Sequence, residues 1–147
     1  MQEKRVVFLF KKESAPLNSI KIELRTTGSL FYAVLKSRVK LKLLLDSGAS
    51  NTQIADYALH KCIYEKTGEV LSISGVGDSI EDEEMHLSLT TIDSLYTKIL
   101  SSACTTDDQE FCYKIRRLHI DGLLGMDFLN GCMIDLSDKV LIISEIK

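Results

Sequence analysis

The sequence predicts an all-β (mostly β) fold carrying two short helices, on three observations. Apolar residues alternate with polar ones at a spacing of two in several runs, the pattern of strands with one buried and one wet face. Each run is short and closed by a polar or glycine-containing turn. Only two segments show helical spacing behind a helix-start signal. With 147 residues, 45% hydrophobic and 27% charged, residues 1–147 are sized for one domain, with a core that needs no staples.

The elements follow in order. Lys4 and Arg5 precede Val6-Val7-Phe8-Leu9-Phe10, and Lys11-Lys12 close that run. Five apolar residues fall short of the roughly 7–15 of a secretory signal, so the segment reads as a strand of a cytoplasmic protein. The stretch around Pro16 is the loosest in the chain. Ile20, Ile22 and Leu24 then alternate with Lys21, Glu23 and Arg25. Residues 30–35 form an apolar run. After Lys36-Ser37-Arg38, residues Val39, Leu41, Leu43 and Leu45 alternate again, with Lys40 and Lys42 outward. These two runs read as a hairpin that delivers the chain to Asp46.

Ser50 and Gln53 have the spacing of a capping box, followed by Ala55, Ala58, Leu59, Cys62 and Ile63 at helical spacing. A second hairpin is expected over residues 70–89, its tip near Gly75-Val76-Gly77-Asp78, where glycine permits backbone angles other residues resist. Residues 95–103 read as a strand. Thr106 with Gln109 is another capping box, opening a segment with Asp107, Asp108 and Glu110 first and Lys114, Arg116 and Arg117 last. That order suits a helix dipole, and Phe111, Ile115 and Leu118 would be its buried stripe. Residues 132–136 and 140–143 are strands flanking a Ser137-Asp138 turn.

Several function classes are excluded at this level. With 18 basic against 21 acidic residues the formal charge is −3, which argues against nucleic acid as a partner. No apolar run approaches the roughly 18 residues of a membrane span. Cys62, Cys104, Cys112 and Cys132 lack C-x-x-C spacing and read as buried reduced thiols, with a Cys104–Cys112 bridge as the alternative in an oxidising compartment. His60, His86 and His119 form no ligand set, so neither a metal nor any other cofactor is expected. Phosphate binding is disfavoured too: no P-loop is present, and Asp46 and Asp78 would repel the anion.

One constellation points to chemistry. Leu43-Leu44-Leu45 runs straight into Asp46-Ser47-Gly48-Ala49, followed by Ser50-Asn51-Thr52-Gln53-Ile54. Asp-Ser-Gly alone is a common turn. Here the apolar approach places Asp46 at the end of a buried strand, where an ionised carboxylate needs a partner. Gly48 lets backbone approach closely, and Ser47 has a hydroxyl to donate to a neighbouring loop. Far downstream stands Leu123-Leu124-Gly125, followed by Asp127-Phe128-Leu129.

Together these segments resemble the retropepsin-like (retroviral-type) aspartic proteases. Residues 43–54 resemble that family's hydrophobic-strand, Asp-Thr/Ser-Gly-Ala/Ser signature, and Leu123-Leu124-Gly125 its hydrophobic-hydrophobic-Gly segment before a short helix. Gly75, Val76 and Gly77 resemble the glycine-containing flap between them. The resemblance spans roughly residues 20–143. Two departures stand out: the stretch over residues 95–118 is longer than in the minimal viral enzymes, and the flap's far arm is acidic, with Asp78, Glu81, Asp82, Glu83 and Glu84.

The resemblance implies a closed, barrel-like acid protease domain in which two facing carboxylates share one proton, activate a water and hydrolyse a peptide bond. This chain has one Asp-Ser-Gly, so the second carboxylate must be the Asp46 of another copy, and the implied enzyme is a homodimer acting on polypeptide. Asp46 is then catalytic, Ser47, Gly48 and Ala49 support it, and Gly75, Val76 and Gly77 cover substrate. The alternatives are plain: a non-catalytic peptide-binding or dimerisation module on the same fold, and an ordinary hairpin tip in place of a flap. The acidic run from Glu81 to Glu84 reads as a solvated edge, or as a preference for basic substrates. Asp127 reads as a structural helix start.

Overall fold

A computed structural model describes residues 19–74 and 79–143; the strand expected over residues 5–10 and the tip at Gly75, Val76, Gly77 and Asp78 lie outside the described residues. The alternating segments form strands with the expected faces. β1 (Ile20–Thr27) buries Ile22 and Leu24 and exposes Lys21, Glu23 and Arg25. It turns at Gly28, whose φ of 64° suits glycine, into β2 (Leu30–Lys36), with Leu24 opposite Ala33. β2 pairs in turn with β3 (Lys40–Leu45), Ala33 opposite Leu43.

The chain continues through β4 (Gln53–Ala55), a 3₁₀ helix (Asp56–Lys61), β5 (Ile63–Ser74), β6 (Ser79–Thr90) and β7 (Thr97–Thr106). It ends with α1 (Gln109–Arg117), β8 (Gly122–Leu124), α2 (Met126–Leu129), β9 (Cys132–Asp135) and β10 (Val140–Ile143). Among the described residues ten strands make one mixed sheet in the order β5-β6-β7-β4-β8-β3-β2-β1-β10-β9. A further pairing, Lys36 of β2 opposite Thr90 of β6, closes β6, β7, β4, β8, β3 and β2 into a ring. The barrel-like closure expected for the chain is therefore present. Its interior holds Leu35, Leu43, Ile54, Leu87, Leu124 and Phe128, all buried, each contributing on the order of 1.5–3 kcal/mol by leaving water. Among the described residues no helix is long and apolar enough to cross a membrane.

Several local expectations are corrected. Ser50 and Gln53 do not cap a helix: Gln53, Ile54 and Ala55 are buried as β4 between β7 and β8, and helical turns begin only at Asp56. The Thr52 amide, which a cap would have used inside the helix, is taken by the Asp127 carboxylate. Nor is Thr106 the cap of α1. Its hydroxyl accepts from the Asp108 amide, and Asp108 caps the helix by accepting from the Phe111 amide at 2.9 Å. Of the stripe, Ile115 is buried and Phe111 and Leu118 are half-buried. α1 ends with His119 at a φ of 60°, its amide on Arg116 and the next amide, Ile120, on Ile115, a Schellman closure at a non-glycine residue. The strand expected from residue 95 begins at Thr97, and α2 is the short helix that the resemblance implies after Leu123-Leu124-Gly125. All four cysteines are free, so the Cys104–Cys112 bridge is not formed.

Candidate active site

β3 ends where its backbone can still pair but its side chains change from apolar to polar. It runs parallel to β8, Leu45 opposite Leu124, and the Asp46 amide extends the ladder by donating to the Leu124 carbonyl at 3.1 Å. Asp46 is thus fixed by two core strands at once. Its side chain is half-buried, as is Ala49, while Ser47 and Gly48 are exposed. The turn closes on Asp46 itself: the Ala49 amide donates to the Asp46 carbonyl at 3.1 Å, and the Gly48 amide donates to the carboxylate Oδ1 at 3.0 Å. A Cβ on Gly48 would stand 3.3 Å from that same Oδ1, so glycine leaves room for a carboxylate held by its backbone.

The two distant motifs meet beneath this turn. The Met126 amide donates to the Ala49 carbonyl at 2.8 Å, and the Asp127 amide to the Ser50 carbonyl at 3.2 Å. In return, the Asp127 carboxylate accepts from the Thr52 amide at 3.0 Å and from the Thr52 hydroxyl at 2.7 Å. The Thr52 hydroxyl accepts from the Gly125 amide at 3.1 Å. At Gly125 the backbones come close: a Cβ there would lie 2.6 Å from the Asn51 carbonyl carbon and 2.8 Å from the Ala49 oxygen. Asn51 ties the loop to β7 through its side-chain amide, which donates to the Ser102 carbonyl at 2.7 Å. Asp127 is structural, as expected, but it acts by bracing Thr52 and does not cap α2, whose N-cap is Gly125.

Other polar residues near these strands escape a sequence reading. Asp121 is buried beside β8; its carboxylate accepts from the Lys42 amide at 2.8 Å and from the Lys61 ammonium at 2.9 Å. A charge in the middle of Ile120-Asp121-Gly122-Leu123 was the available signal. Asp82 is a correction: the acidic run from Glu81 to Glu84 is not uniformly solvated, because Asp82 is only 2% exposed and accepts from the Gln53 amide at 2.9 Å. Its burial pushes the carboxyl above the ordinary carboxylate range, and hydrogen bonds from Thr106 and Gln53 hold it back in part. Burial raises the thiols of Cys62 and Cys104 to about 12, which leaves them protonated and inert. Among the described residues no three His, Cys, Asp or Glu side chains converge on a point that would hold a metal.

Comparison with known proteins identifies the class of fold. The chain is similar to the crystal structure of a retropepsin-like aspartic protease from Rickettsia conorii, with a TM-score of 0.51 over 91% of this chain and 96% of that one, at 21% identity. The fold is retropepsin-like. No family model matches the sequence, and no curated protein is significantly similar to it.

Proposed function

We propose that the chain is an aspartic endopeptidase whose active unit is a homodimer, with Asp46 of each copy supplying one carboxylate. The observation that carries this reading is the Asp46 turn. A carboxylate at the end of a core strand is held at Oδ1 by the Gly48 amide and braced from below by the Gly125–Asp127 segment, in a retropepsin-like fold. Two such carboxylates about 3 Å apart cannot both ionise, a pattern for which aspartic proteases are the standard case. The ionised one takes a proton from water as the oxygen attacks the scissile carbonyl. The protonated one donates to the carbonyl oxygen. The resulting diol collapses as a proton passes to the leaving amine. Gly48 contributes by fixing the carboxylate's rotation, so that no reorganisation is needed when charge moves.

In the same reading, residues 1–147 act as one domain on polypeptide in the cytoplasm, Ser47 and Ala49 support the turn, and Gly75, Val76 and Gly77 cover the bound substrate. Ionisation of one carboxylate only predicts a bell-shaped dependence of kcat/KM on pH, falling off by neutral to alkaline pH. The test is hydrolysis of a peptide library by the purified protein across pH 3–8, with and without a statine-type inhibitor whose hydroxyl replaces the attacking water. The expected result is cleavage with an acidic optimum, blocked by the inhibitor. Cleavage that ignores the inhibitor but stops with a thiol reagent or a chelator would contradict the mechanism, and peptide binding without cleavage would favour a non-catalytic module.

A further inference from the structure

The Asp46 turn is tied from below by Asp127, but a second tie runs sideways. Gln53 follows Thr52 directly on β4, and Gln53 is itself nearly buried. Its side chain reaches away from the β3–β8 pair and donates to Asp82 on β6, 29 residues on, through Nε2 to Oδ2 at 2.9 Å. β6 is the far arm of the hairpin whose near arm is β5, with Leu71 opposite Asp82. Among the described residues buried side chain to side chain bonds between distant elements are few, and this one joins the strand leaving the Asp46 turn to the hairpin arm.

We propose that the Gln53–Asp82 hydrogen bond is a positioning latch that sets the β5–β6 hairpin relative to the Asp46 turn, and that the latch tightens in acid. This rests on the peptidase reading for its consequence, since that reading makes the hairpin the substrate cover.

The acid dependence follows from what surrounds Asp82. Gln53 and Thr106 give it neutral hydrogen bonds, and the Cys104 sulfur lies 3.9 Å from Oδ2. Asp107 and Asp108, from the segment entering α1, add negative charge that opposes its ionisation. On its own strand Glu81 and Glu83 are exposed, and Glu84 accepts from the Thr67 hydroxyl at 2.8 Å. The nearby cation, Lys66, is engaged by Glu83 at 2.7 Å. No cation therefore offsets a buried Asp82 carboxylate among these groups. Asp82 also lines a cavity of about 330 Å³ with Asp56 and Asp107, which gives a proton access.

Because its folded-state pKa is raised, the folded chain holds the Asp82 proton more tightly than the unfolded chain does. Stability from this group is full below the ordinary carboxylate range and is lost as pH rises toward the raised value. Opening the latch hydrates the carboxylate, so opening becomes easier over the same window. At acid pH, where the proposed dyad works, the latch is neutral and closed.

Amide hydrogen exchange of β4 and β6, with KM and kcat where the wild-type chain cleaves peptide, tests this across pH 4–7.5. After correction for intrinsic exchange, wild-type protection of these strands should fall several-fold toward neutral pH. Asp82→Asn keeps an acceptor for Gln53 and cannot ionise, so protection and KM should both become flat with pH. Asp82→Ala removes the acceptor, so protection should drop about tenfold at every pH, with KM raised and kcat moved far less. Gln53→Leu should behave like Asp82→Ala and serves in its place if that variant does not fold. Asp82→Asn with the wild-type pH dependence, or Asp82→Ala or Gln53→Leu with wild-type protection, would overturn the latch. A wild-type chain without peptidase activity would sink the peptidase reading alone, since exchange is read without substrate.

Discussion

Asp46→Asn should remove peptide cleavage, by a factor on the order of 10⁴, and leave fold and self-association unchanged. The asparagine side chain is nearly isosteric, and its carbonyl oxygen can still accept from the Gly48 amide that now holds Oδ1 at 3.0 Å. The backbone ties do not involve the side chain: the Asp46 amide stays on Leu124 and the Ala49 amide on the Asp46 carbonyl. What the amide cannot do is take a proton from water and pass it on. The readout is kcat/KM at the acidic optimum, beside circular dichroism and thermal unfolding of both proteins. A variant that unfolds would say nothing about the proton. A folded variant that still cleaves would remove Asp46 from the chemistry.

The second large effect is on the fold. Gly125→Ala should destabilise the chain by about 3 kcal/mol or more, and in the surviving folded fraction it should displace the Asp46 turn. The new Cβ would meet backbone rather than the end of a movable side chain: Asn51 carbonyl carbon at 2.6 Å, its oxygen at 2.7 Å and the Ala49 oxygen at 2.8 Å. Relief requires separating the Gly125–Asp127 segment from the loop after Asp46. That separation strains the Met126 to Ala49 and Gly125 to Thr52 bonds together. Chemical denaturation with a fitted midpoint measures the loss. Gly131→Ala is the control, because a Cβ there meets open space, although its φ of 87° carries a local conformational cost.

These two predictions use the residues most legible in sequence. The run into Asp46 and the Leu123-Leu124-Gly125 segment stood out because each places polar or glycine residues where an apolar strand stops. Their lateral pairing through β3 and β8 is what such a pattern needs in order to matter. Period-two alternation located β1 and β3, which bury Ile22, Leu24, Leu41 and Leu43 on one face, whereas β2 and β10 read as short apolar runs and bury Ala33-Val34-Leu35 and Leu141-Ile142-Ile143 without alternating. Alternation could not find β4, since Gln53, Ile54 and Ala55 are all buried. Ser50 and Gln53 matched a capping box by local chemistry, and tertiary partners overrode it: Asp127 on Thr52, Ser102 on Asn51, Asp82 on Gln53. Asp82 was invisible for the opposite reason. Flanked by exposed acids, it differs from them only in facing β4 across the sheet. Capping at Asp108 in place of Thr106 is a shift of two residues among three candidate oxygens, which local sequence alone does not rank.

The central claim is that one Asp46 per chain makes half a site. It is tested most directly by measuring specific activity against protein concentration while sedimentation velocity follows the association state, then adding Asp46→Asn chains in excess to wild-type protein. Specific activity should rise with the dimer fraction. The added variant, though inactive itself, should suppress the wild type by forming mixed dimers that carry a single carboxylate. A chain that sediments as a monomer throughout its active range, with constant specific activity and no response to the variant, would contradict it.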